Sequence, residues 1–82
     1  MTEAQTRRRL EQRMNQLLNS LRKSAEIARS IDSLIVEEDY SLQEGDKVDV
    51  LLTHLFGGVR AARECMPDLA ASLGLYSDNL DF

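Results

Sequence analysis

The apolar positions of the chain fall into two stripes of equal length. Leu10, Met14, Leu17, Leu21, Ser24, Ala28, Ile31 and Ile35 alternate steps of four and three over 26 residues, with Ser24 the single polar member. Such spacing is a heptad seam and predicts a helix that is apolar along one side. The segment holds neither Gly nor Pro and is rich in Leu, Arg, Glu, Gln, Met and Ala, all good helix formers. Thr2 with Gln5 three residues later reads as a capping box, so the helix is expected over about 3–36. Val48, Leu52, Leu55, Val59, Ala62, Met66, Leu69 and Leu73 repeat the same steps over a second 26 residues. Asp46 with Asp49, or Ser41 with Glu44, are alternative caps for its start, and Gly74 is placed as its stop.

Between the stripes, residues 37–46 are polar, acidic and end in Gly45-Asp46, so they should turn the chain. Two apolar arms joined by a short connection predict an antiparallel helical hairpin, each arm about 39 Å long. In that register Leu10 lies near Leu73 and Ile35 near Val48. Pro67 falls inside the second stripe without shifting its phase. A mid-helix Pro costs about 3 kcal/mol and a hydrogen bond. The expectation is therefore a helix over 47–65, a break near Cys65–Met66, a short third helix over 67–73 and a tail over 74–82, all in one domain of residues 1–82. Gly57-Gly58 is expected to allow close helix packing, or else to form a hinge or partner groove.

A lone hairpin buries only a narrow seam, and this one carries Leu18, Ile27, Leu34, Leu51 and Phe56 outside it. Left bare, they would make a large apolar patch. The C-terminal residues Leu69, Leu73, Leu75 and Leu80 are expected to cover part of it. A second copy of the chain, giving a four-helix bundle, is the first candidate for the rest; a different helical protein is the second. Leu18, Ile27, Leu34, Leu51, Phe56, Gly57 and Gly58 are thus the candidate partner interface.

Composition adds limits. Of 82 residues, 43% are hydrophobic and 29% charged, which suits a single soluble domain and not a disordered chain. One Pro, four Gly and no Trp leave too few turn-formers for a sandwich or barrel. The longest uncharged stretch, 50–59, is too short to span a membrane. The polar N-terminus lacks a signal-peptide pattern, so a cytoplasmic location is expected. The net charge of −4 is unevenly divided. Residues 1–30 hold seven basic and three acidic side chains, and residues 31–82 hold three and eleven.

Candidate chemistry is sparse. A single His and a single Cys exclude an internal disulfide and a Cys-based metal cluster. His54 has no histidine at i+3 or i+4 and falls on the polar side of its helix. Cys65 is eleven residues away, about three turns, too far for contact within one helix, and is expected to be half-buried in packing. Glu37-Glu38-Asp39 with Glu44, Asp46 and Asp49 has no calcium-loop spacing, and Gly57-Gly58 sits in no phosphate-loop motif. Arg7, Arg8, Arg9 and Arg13 are the candidate phosphate contacts, with pairing to Asp78 and Asp81 as the competing role. No aromatic residues interleave them, so base stacking is not supported.

Asp32-Ser33-Leu34 resembles the phosphopantetheine attachment site of acyl carrier proteins. That family places Gly two residues before the Asp and starts a helix at the Ser; here Arg29-Ser30-Ile31 precede within an unbroken heptad helix. No cofactor is expected. A short acidic hairpin that dimerises also looks like the Rop plasmid-copy-number regulators, and like small co-chaperones of bacterial secretion systems, in layout. The function expected is a non-enzymatic helical interaction module, a regulator, adaptor or inhibitor of a larger protein. The alternative is a Rop-like nucleic-acid-binding regulator using the basic N-terminal helix.

Overall fold

A computed structural model describes residues 2–82. Helix α1 runs Glu3–Glu37 and helix α2 runs Gly45–Ser72, followed by a 3-10 turn at Ser77–Asn79. No strand occurs among the described residues. The two helices contact each other as a hairpin, a rod of 56 × 20 × 19 Å. A 35-residue helix is about 52 Å long, so α1 alone sets the rod's length.

The capping box forms as expected. Gln5 N donates to Thr2 Oγ1 at 3.2 Å, and Thr2 N donates to Gln5 Oε1 at 3.0 Å. At its other end α1 closes with a pair of backbone bonds, Tyr40 N to Ile35 O and Asp39 N to Val36 O, while Asp39 adopts φ 48°. That is a Schellman stop with Asp in the left-handed position usually given to Gly or Asn. Helix α2 ends in the same motif: Leu75 N donates to Ala70 O and Gly74 N to Ala71 O, with Gly74 at φ 72°. Gly74 is thus the stop the sequence implies.

Three expectations about α2 are corrected. Neither capping pair forms, because the helix begins at Gly45 behind Glu44, which makes no side-chain cap bond. The acidic connection is accordingly only 38–44. The helix also does not break at Cys65–Met66, and there is no separate third helix: α2 passes through Pro67 to Ser72. Pro67 removes the donor for the Arg63 carbonyl, but Arg63 is exposed, so water is at hand. Met66 and Ala70, both buried, hold the chain on the helical path on either side.

The core lies at the end of the rod far from the connection. Met14 and Leu18 of α1 meet Met66 and Ala70 of α2, and Leu75 and Leu80 of the tail close over them, with Leu10 and Leu21 packed alongside. The row Met14, Leu21, Ala28, Ile35 faces inward as the heptad predicts. The second buried row is Glu11, Leu18, Ala25, and Leu17, Ser24 and Ile31 point out instead. The expected tail cover is half right: Leu75 and Leu80 are buried, but Leu69 and Leu73 are 42% and 41% exposed.

Candidate functional site

Two surfaces flank the hairpin seam. The first is apolar. Leu17, Ile27, Ile31 and Leu34 of α1 and Leu51, Leu55, Leu69 and Leu73 of α2 are all exposed, Ile27 at 54% and Leu55 at 56%. Positions 17, 24 and 31, and likewise 55, 62 and 69, are heptad repeats, so each set runs as a straight row along its helix. In helical phase both rows lie on the same side of the seam. Three members of the predicted interface, Ile27, Leu34 and Leu51, belong to this face.

Leu18 does not. It is 2% exposed and belongs to the chain's own core, because the tail folds back over it. Phe56 is half-buried on the opposite side of the hairpin. Gly57 and Gly58 are exposed, and a Cβ built at either meets nothing within 4 Å. Close helix packing therefore does not account for them, since no neighbouring backbone approaches.

The second surface is a groove of about 550 Å³ on the other side of the seam, between 18–29 of α1 and 56–67 of α2. Its apolar lining is Leu18, Ala25, Phe56, Val59 and Pro67, together with Phe82 of the tail. Arg22, Arg29, Arg60 and Arg63 rim it, against a single acid, Glu64. Glu64 is taken by its own helix, with Arg60 Nε at 3.2 Å from its Oε1. Arg29 and Arg63 have no ion pair or hydrogen bond among the described residues. None of these four arginines stood out in the sequence. The signal present was the seven-residue spacing of Arg22 and Arg29 beside the seam, outweighed by the louder Arg7-Arg8-Arg9 run.

The tail reaches this groove by running along the same side of the hairpin. Asn15 clamps it twice, with Nδ2 donating to Asn79 O at 3.0 Å and Oδ1 accepting from Asp81 N at 2.9 Å. Arg22 donates to the Asp81 carbonyl. Arg7 stacks over the Tyr76 ring, 5.2 Å from its centroid, and also lies 3.8 Å from Glu3. The predicted phosphate set is not gathered. Arg7 faces the tail, Arg13 donates to Gln16 on its own helix, Arg8 lines a small hollow with Glu11 and Asn79, and Arg9 is exposed. No salt bridge joins Arg7, Arg8 or Arg13 to Asp78 or Asp81 among the described residues.

Glu11 was also missed. It occupies a seam position at 7% exposure, and its Oε2 has no hydrogen-bond partner among the described residues. Cys65 is exposed rather than half-buried, and its Sγ–H points back to the Ala62 carbonyl at 3.1 Å. His54, Asp32 and Ser33 are exposed on helices. Among the described residues no three His, Cys, Asp or Glu side chains gather as a metal-ligand set, and no helix is long and apolar enough to cross a membrane. The chain matches no known family model, no curated protein and no solved structure.

Proposed function

We propose that the chain is a non-enzymatic helical interaction module whose leucine flank pairs with a second copy, the resulting bundle acting as a regulator, adaptor or inhibitor of a larger protein. The observation that carries this reading is the uncovered apolar face of Leu17, Ile27, Ile31 and Leu34 beside Leu51, Leu55, Leu69 and Leu73. Its scale supports it. A compact monomer of 9.3 kDa exposes about 5,000 Å². This rod exposes 6451 Å². The surplus exceeds the roughly 800 Å² that each partner contributes to a standard interface. Two straight apolar rows at heptad spacing are also the form in which helices pack into bundles.

Sedimentation of the wild-type chain and of the Ile31→Glu and Leu55→Glu variants tests this. Both side chains are exposed in the hairpin, so the variants should keep wild-type helicity. The wild type is expected to sediment as a dimer and each variant as a monomer. A wild-type chain that stays monomeric at high concentration would remove the second copy as the occupant.

A further inference from the structure

The arginine-rimmed groove is a separate surface from the leucine flank. We infer that it is a docking site for an acidic amphipathic helix of a protein partner, about three turns long. The groove borders 18–29 of α1, a length of about 17 Å, or three helical turns. The crease between two helices is where a third helix packs, with its apolar side on Phe56, Val59 and Ala25.

The charge selects the partner. Four arginines and one acid border the groove, and that acid is already paired with Arg60. Around an apolar lining, such a rim favours carboxylates flanking apolar anchors. Arg29 and Arg63 reach from opposite helices and have no ion pair among the described residues, so they are available to a partner.

The tail already uses the apolar part of this recognition. Upstream in the same crease, the tail docks by burying Leu75 and Leu80, while Arg22 holds the Asp81 carbonyl and Arg7 engages Tyr76. That segment is apolar and acidic, with Asp78 and Asp81 and no basic residue over 75–82. The crease therefore already accepts an apolar segment held through its backbone, and the open groove, which Phe82 also lines, adds the four arginines that select acidic side chains.

A displayed library of random peptides about four helical turns long, selected against the intact chain, tests the inference. Selected peptides are then measured by fluorescence anisotropy against wild type and an R29E/R63E double variant. The selection is expected to enrich Asp and Glu with apolar residues three and four apart. The double variant is expected to weaken binding by about tenfold or more, and added salt should weaken the wild-type interaction. Both arginines are exposed, so circular dichroism should match the wild type. Backbone amide shifts should move around Arg22, Arg29, Phe56 and Arg63.

No acidic enrichment, or equal binding to R29E/R63E, overturns the inference. So do shifts confined to the leucine flank. Loss of self-association in R29E/R63E would make a second copy the occupant instead. Capture of phosphatidylglycerol vesicles, abolished by R29E/R63E with no peptide selected, would make it a lipid surface. The two surfaces fail independently: Ile31→Glu should leave peptide binding intact, whatever it does to self-association.

Discussion

Glu11 sits where the seam calls for an apolar side chain, and one of its carboxyl oxygens has no partner among the described residues. Removing a polar group from water without a replacement bond costs about 1–3 kcal/mol. Glu11→Leu should therefore stabilise the hairpin by about that amount, raising the melting temperature by roughly 4–8 °C per kcal/mol in a domain of this size. Thermal unfolding by circular dichroism reads the shift directly. An unchanged or lowered midpoint would mean that the carboxyl group is satisfied in solution. Asp39 is a second residue out of its usual setting. Its φ of 48° is a conformation that Asp adopts more readily than most side chains, which lets the turn close without a glycine.

Among the elements, the tail depends most on a single side chain. Asn15 supplies a donor and an acceptor to the tail backbone, replacing the pairing that a neighbouring strand would give. Asn15→Ala should cost about 1–2 kcal/mol through the two lost bonds. The tail amides near 79–81 should then lose exchange protection while helical content stays the same. Retained protection would show that Leu75 and Leu80 hold the tail by themselves. The tail also explains where sequence reading succeeded and where it stopped. The row 14, 21, 28, 35 and the two helices were legible because spacing alone sets them. Two apolar rows flank that one, through Leu17 and Ile31 on one side and through Leu18 and Ala25 on the other. Local pattern cannot choose between them. The choice is made by Leu75 and Leu80, more than fifty residues away, which cover Leu18 and leave Leu17 bare. Likewise, Pro67 read locally is a helix breaker. It is tolerated because burial of Met66 and Ala70 outweighs one lost bond at an exposed carbonyl.

Across the whole molecule, stability is distributed along the rod as a gradient. The cluster of Met14, Leu18, Met66, Ala70, Leu75 and Leu80 lies at the open end. Toward the connection the seam narrows to Ala25 and Ala28, with Leu52 the one large buried side chain there among the described residues. Local opening is cheapest where few apolar contacts are lost. Hydrogen exchange should therefore be slowest at 14–21 and 63–70 and fastest among helical amides at 30–37 and 45–52. Uniform protection along both helices would contradict this layout, unless it appears only at concentrations where the chain self-associates. In that case the leucine flank supplies what the thin end of the seam lacks.

The position of the core also bears on how the chain folds. A hairpin closes most cheaply next to its turn, where the loop to be formed is short. Here that end offers little to hold it. The contacts that hold it join Met14 and Leu18 to Met66, Ala70, Leu75 and Leu80, and Asn15 meets Asp81 across 66 positions. The chain must therefore close its largest loops before the best packing begins, so the helices can form early while their pairing waits for the two ends to meet.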